Sequence, residues 1–205
     1  MRALFLPAAV AIVGLSVASK PAVAKDGFYV APSAGIFAPV DRDFSVFGID
    51  GTIEYDAGWQ AGAAVGYRFG MFRFEIEGIY GDAKIDAVEI EGLGRSEFGD
   101  NVEYLIAFAN GFAEFSVANL RPYLGFGVGV VETDIESSLP ADDALTNAFG
   151  TSSDLALQGE FGVSIPVTDT IEIAPSYRFI WVDDRGDGVD QTMAHNVRIV
   201  ARISF

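Results

Sequence analysis

The sequence predicts an all-β protein: an eight-stranded antiparallel transmembrane up-and-down β-barrel, with short periplasmic turns at one end and long extracellular loops at the other. Three observations carry this reading. Apolar and polar residues alternate with period two in stretch after stretch, the links between stretches alternate between short and long, and aromatic residues gather at stretch ends on the apolar parity. Composition narrows the class further. The chain is 50% hydrophobic yet carries a formal net charge of −16, which fits neither a disordered acidic tail nor a bundle of membrane helices. The absence of cysteine removes disulfides, CxxC redox pairs and thiolate metal sites. The acidic balance argues against nucleic acid, whose phosphates require Lys and Arg.

The first segment is a leader. "MRALFLPAAVAIVGLSVASKPAVAKDG" has a basic start at Arg2, an apolar stretch from Ala3 to about Val17, and Ala22-Val23-Ala24, the A-x-A pattern of a secretory signal peptide. A spanning helix needs roughly 20 apolar residues, and this stretch is shorter and broken by Pro7. The expected organisation is a signal peptide over residues 1–24, cut after Ala24, and a barrel domain over 25–205. Cleavage removes Arg2 and Lys20 but no acid, so the 13 basic residues fall to 11 against 29 acids, a net −18.

The strands follow in order. Phe28 to Phe37 is the first, with an imperfect alternation. In "WQAGAAVGYRF", Trp59, Ala61, Ala63, Val65, Tyr67 and Phe69 share one face, and Gln60 and Arg68 the other. "FRFEIEGIY" sets Phe72, Phe74, Ile76 and Tyr80 against Arg73, Glu75 and Glu77. Val102–Phe115 and Tyr123–Thr133 fit less cleanly. "LALQGEFGVSI" opposes Leu155, Leu157, Phe161, Val163 and Ile165 to Gln158, Glu160 and Ser164. "IEIAPSYRFIW" opposes Ile171, Ile173, Tyr177, Phe179 and Trp181 to Glu172, Ser176 and Arg178. The last strand opposes Val197, Ile199, Ala201, Ile203 and Phe205 to Asn196, Arg198, Arg202 and Ser204. Such runs put one strand face in an apolar medium and the other in a polar one.

A soluble sandwich would also alternate, so the links decide. Very short ones lie around Gly70, Asn119 and Asp169, and long polar ones at about residues 38–57, 81–101, 134–153 and 183–191. That asymmetry, with Trp59, Phe69, Phe72, Tyr80, Trp181 and Phe205 as interfacial girdles, is the plan of a membrane barrel.

"RPYLGFGVGV", "LALQGEFGVSIPVTDTIEIAPSYRF" and the terminal "HNVRIVARISF" resemble the OmpA-type eight-stranded outer-membrane β-barrels of Gram-negative bacteria, and more closely the short porin-family or opacity-type members. The resemblance implies the cell outer membrane, contact with its lipid and lipopolysaccharide, and a terminal aromatic strand read by the outer-membrane assembly machinery. Phe205 stands in that signal position, with Ile203 and Ala201 in the alternating apolar places before it. OmpA also carries a peptidoglycan-binding domain after its barrel; this sequence stops at the last strand, so no cell-wall tether is carried over.

An eight-stranded barrel has room inside for side chains and little else. Arg68, Arg73, Glu75, Glu77, Glu160, Arg178, Arg198 and Arg202 are expected to point inward as a lumen charge network. Opposite charges that satisfy one another make a structural plug, which is the preferred reading; a network that switches partners would make a gated, porin-like pore, which the resemblance permits. Catalysis is not expected. Small outer-membrane barrels include lipid A deacylases and acyltransferases, which need a nucleophile, base and orienting acid in reach. His195, the one histidine, lies on the apolar parity of the last strand, with Asn196 facing the other way. No cofactor is expected.

The outer loops hold the remaining signals. "VDDRGDGVD" contains Arg185, Gly186 and Asp187, the tripeptide that integrins bind and hence a candidate contact with a host surface ligand. The same stretch resembles a calcium loop at Asp183, Asp187 and Gly188, but Arg185 stands where a second carboxylate is required, so no metal is assigned. Asp82, Asp86, Glu89, Glu91, Asp134, Glu136, Asp142 and Asp143 read as a solvated acidic surface, with divalent bridging to lipopolysaccharide as the functional option.

Overall fold

A computed structural model describes residues 26–46, 49–90, 94–97, 101–136, 152–183 and 192–205. They form ten strands: β1 (Gly27–Pro39), β2 (Arg42–Val46), β3 (Ile49–Phe69), β4 (Phe72–Ile90), β5 (Gly94–Glu97), β6 (Asn101–Glu114), β7 (Arg121–Glu136), β8 (Ser152–Pro166), β9 (Ile171–Asp183) and β10 (Thr192–Ser204). Eight of these, β1, β3, β4, β6, β7, β8, β9 and β10, pair antiparallel each with the next in sequence, and β10 returns to β1. The result is a closed eight-stranded barrel, with no helix among the described residues. At the seam Val30 faces Ile203 and Phe37 faces Asn196, and the Phe205 N–H donates to the Phe28 carbonyl at 3.1 Å.

The short links are tight for local reasons. Gly70 takes a φ of +59°, a left-handed turn that costs glycine little, and its N–H donates to Asp26 Oδ1 at 2.8 Å. At the turn after β8, the Thr168 hydroxyl accepts from the Ile171 N–H at 2.9 Å.

Two of the expected long loops are largely strand. Residues 38–57 contain β2 and the start of β3, and residues 81–101 contain the end of β4 and all of β5. Together β2-β3-β4-β5 form a four-stranded sheet that carries β3 and β4 past the rest of the barrel. The alternation hides this extension because the β3–β4 register shifts between Glu54 and Tyr55 and again between Asp56 and Trp59. Each bulge moves the following side chains to the other face and breaks the period-two pattern.

The outer wall is apolar around the whole barrel. Ile36, Val65, Phe74, Ile76, Leu124, Phe126, Phe161 and Ile199 are all more than half exposed on it, as a lipid-facing band requires. Trp59 packs at a tilt against Tyr80 near its upper edge, ring centroids 5.6 Å apart. Position along this band sets a measurable gradient. Ile76 lies mid-strand, between Val65 and Ala109, so Ile76→Arg should destabilise by about 2–4 kcal/mol. Val163, beside Pro122 near the lower rim, should tolerate Arg at about 0–1 kcal/mol. Urea titration in lipid vesicles reads both, and equal costs would show that the apolar band lies at another height.

Candidate functional site

The inward face of the barrel is a filled lumen stacked in tiers. At the periplasmic end lie Arg68, Arg73, Arg121 and Arg202 with Glu75, Glu114 and Glu172, all buried. Arg68 at the end of β3 grips Glu172 of β9 with both Nη atoms, at 3.2 and 2.9 Å, while its Nε meets Glu114 Oε2 at 3.3 Å. Arg73, next to it across the turn, pairs with Glu75 and places Nε 2.8 Å from Glu114 Oε1. Its guanidinium lies over the Phe112 ring at 4.2 Å and the Tyr123 ring at 5.0 Å, so aromatic faces cover what carboxylates do not. Arg121 pairs with Glu172. Arg202 donates to Ser164 Oγ at 2.8 Å, with Glu75 3.7 Å from its Nε.

Above this tier is a closed quartet. Arg178 places Nη2 2.6 Å from Glu77 Oε2 and 3.0 Å from Glu160 Oε2. Arg198 likewise joins Glu77 to Glu160, the second contact at 2.6 Å. Each guanidinium therefore bridges both carboxylates, and four strands (β4, β8, β9 and β10) are tied across the barrel axis. The Tyr123 hydroxyl donates to Glu160 Oε1 at 2.9 Å, and that of Tyr29 to Glu75 Oε1 at 2.6 Å.

Next outward come amides. Gln60 Nε2 donates to Asn196 Oδ1 at 2.9 Å, Gln158 Nε2 donates to Asn110 Oδ1, and Asn110 Nδ2 donates to Glu77 at 3.0 Å. The last tier is apolar: Phe37, Ile79, Tyr104, Ile106, Phe108, Val131, Ile180 and several alanines form one buried cluster in the extracellular half. This tier explains the poor alternation of β6, whose lumen face runs Val102, Tyr104, Ile106 and Phe108. Crowding between the lumen faces of β6 and β7 explains the glycines of "RPYLGFGVGV". A Cβ on Gly125 would lie 2.1 Å from the Phe112 ring, and one on Gly127 2.0 Å from Asn110 Oδ1. Large lumen side chains on β6 take the space that β7 leaves empty.

All eight predicted network residues face this lumen and are buried, and each joins a tier. Three members were missed: Glu114, Arg121 and Glu172. Parity would have found them, since Glu114 follows Phe112 by two, Arg121 precedes Tyr123 by two, and Glu172 stands six residues before Arg178. His195 faces outward, its Nδ1 beside the Tyr177 hydroxyl and its ring near Phe179, centroids 5.4 Å apart. Phe205, Ile203 and Ala201 lie on the outward parity of the last strand, Phe205 being 80% exposed. Residues 1–24, the candidate contact Arg185, Gly186 and Asp187, and Gly188, Glu91, Asp142 and Asp143 lie outside the described residues. Among the described residues no cluster of three or more His, Cys, Asp or Glu could hold a metal ion.

Comparison with known proteins agrees with this geometry. A family model described as the outer membrane protein beta-barrel domain matches residues 8–202. Among solved structures, Neisserial surface protein A (NspA) is similar at a TM-score of 0.60 and 18% identity, covering 87% of this chain and 97% of that one. The outer membrane protein OprG from Pseudomonas aeruginosa is similar at a TM-score of 0.50 and 16% identity, covering 88% and 94%. At such identities the likeness is one of fold. No curated protein matches.

Proposed function

The chain belongs to the outer membrane protein β-barrel family, and from that premise we propose that it is a non-enzymatic structural protein of the outer membrane whose lumen is a plug. The observation that supports the plug is the stacking of two different seals. Below, the charged tiers hold six Arg and five Glu in buried pairs; above, the apolar cluster occupies the extracellular half. A salt-bridge network can exchange partners, but an apolar layer gives an ion no ligand to replace its hydration shell. Opening the charged tiers alone therefore leaves the path shut. The outward position of His195 among Tyr177 and Phe179 fits an interfacial aromatic cluster rather than a general base.

The surface-exposed side of the role rests on the sheet β2-β3-β4-β5, which extends beyond the barrel proper. Its described outer residues include the ion pairs Arg95–Glu54 at 2.9 Å and Arg95–Asp86 at 2.7 Å. A host-surface ligand would meet this sheet and the acidic outer loops; the assembly machinery would meet the C-terminal strand.

Planar-bilayer recording tests the plug against the gated pore. Wild type and Glu160→Ala should both give baseline current. Glu160→Ala combined with Phe108→Ser, which wets the apolar tier, should conduct. Robust channels from wild type, or from Glu160→Ala alone, would establish the pore instead.

A further inference from the structure

The lipid-facing wall is not uniform in relief. On its periplasmic half a hollow of about 390 Å³ opens outward between Phe72 and Phe74 of β4 and Leu124 and Phe126 of β7, with Gly111 and Ala113 of β6 as its floor. The four wall side chains are 49% to 62% exposed, while the two floor residues are half-buried. The strand register makes this hollow one end of a longer groove. Ala113 lies between Phe72 and Leu124, Gly111 between Phe74 and Phe126, and Ala109 between Ile76 and Val128. Ala107 carries the floor one row further, and the exposed Leu105 stands at its far end. Continued across β8, β9 and β10, the row of Ala113 and Leu124 carries Phe161, Tyr177 and Val197, with no small residue to open a second channel there.

The dimensions select the occupant. The β6 segment from Ala107 to Ala113 spans about 20 Å. At a strand tilt of about 40° it rises about 15 Å through the membrane, half of a hydrocarbon core about 30 Å thick. The backbones of β4 and β7 are two strand spacings apart, about 10 Å, so the side-chain walls leave no room for a helix, which is about 10–12 Å across. Every outward side chain of the groove is apolar. Within hydrocarbon, apolarity alone does not hold two surfaces together; a groove adds contact on three sides of a chain, and those contacts are a dispersion gain. The groove begins beside the turn at Gly70, at the periplasmic rim, and continues the wall that the bilayer covers. We infer that it holds one acyl chain of a phospholipid from the periplasmic leaflet, laid along β6 as a resident and not as passing solvent. The inference is independent of whether the lumen conducts.

The test is photolabelling of the full mature protein in phosphatidylcholine vesicles that carry a trace of the same lipid with a diazirine in mid-chain, followed by peptide mapping. Labels should concentrate several-fold on the groove walls, residues 72–76 and 124–128, relative to Phe161, Tyr177 and Val197. Phosphatidylglycerol in place of phosphatidylcholine should leave the pattern unchanged, because the groove grips the chain; a pattern that follows the headgroup would overturn the acyl-chain assignment. Gly111→Leu fills the floor without a backbone clash, since a Cβ there meets only the Phe74 ring, at 3.9 Å, an ordinary contact. It should bring labelling of the walls down to that of the rest of the barrel, and Ala109→Leu should do the same one row higher. Uniform labelling of the wild type would overturn the inference whether or not either variant folds. So would unlabelled groove walls in a barrel that crosslinks as a dimer, which would put a second copy in the groove. A preference surviving in both Leu variants would overturn the assignment to this groove.

Discussion

Glu160→Ala should lower the unfolding free energy by about 3–5 kcal/mol, the usual cost of breaking one side of a buried ion pair. The carboxylate is 3% exposed. Its Oε2 accepts from Arg178 at 3.0 and 3.1 Å and from Arg198 at 2.6 Å, while Oε1 accepts from Tyr123. Truncation leaves two guanidiniums to share Glu77 alone and removes the acceptor of a buried phenol. The double variant Glu160→Ala/Arg178→Ala removes one charge of each sign and leaves Arg198 paired with Glu77. Its cost should therefore fall below the sum of the two single costs by about 1–3 kcal/mol, the range expected for residues in one network. Urea titrations of the two single variants and the double in vesicles supply the cycle. Strict additivity would mean that the quartet does not act as a unit, and an unchanged midpoint for Glu160→Ala would mean that Glu160 is a latch and not a support.

The quartet could be read from the chain because charged residues in an otherwise apolar alternation have only one polar place to go. Glu77, Glu160, Arg178 and Arg198 each sit on a strand whose opposite parity is apolar. The apolar tier was not legible for the complementary reason. On β6 the lumen face carries Val102, Tyr104, Ile106 and Phe108, while the lipid face carries small residues such as Ala107 and Ala109. Hydropathy there does not separate inside from outside; only the neighbours across the barrel do. The extended sheet was hidden differently. Its residues do form strands, but two register shifts between β3 and β4, the first with its extra residue on β4 and the second on β3, interrupt the phase, and a period-two search ends where the phase changes. Glu114 was lost at a strand end, where the alternation runs out into the turn at 115–120.

Deletion of Phe205 is expected to abolish accumulation in the outer membrane while barely changing the stability of the folded barrel. The two halves of this expectation have separate physical grounds. In the finished barrel the Phe205 side chain is 80% exposed and its contribution to closure is one backbone hydrogen bond, from its N–H to the Phe28 carbonyl. A single bond of that kind is worth about 0.5–1.5 kcal/mol, small beside the pairing of β10 with β1 and β9 along its length. Under the proposed assembly role the ring acts before the barrel closes, when Phe205, Ile203 and Ala201 form the apolar face of a strand whose edge is still unpaired. Purified deletion protein should therefore refold into detergent with a midpoint close to wild type, whereas in cells it should remain periplasmic and be degraded. Phe205→Asp should behave like the deletion, and Phe205→Tyr, which keeps the aromatic ring, should restore outer-membrane levels. Normal levels of the deletion would sink the assembly role. A refolding defect as severe as the cellular one would move Phe205 from recognition to structure.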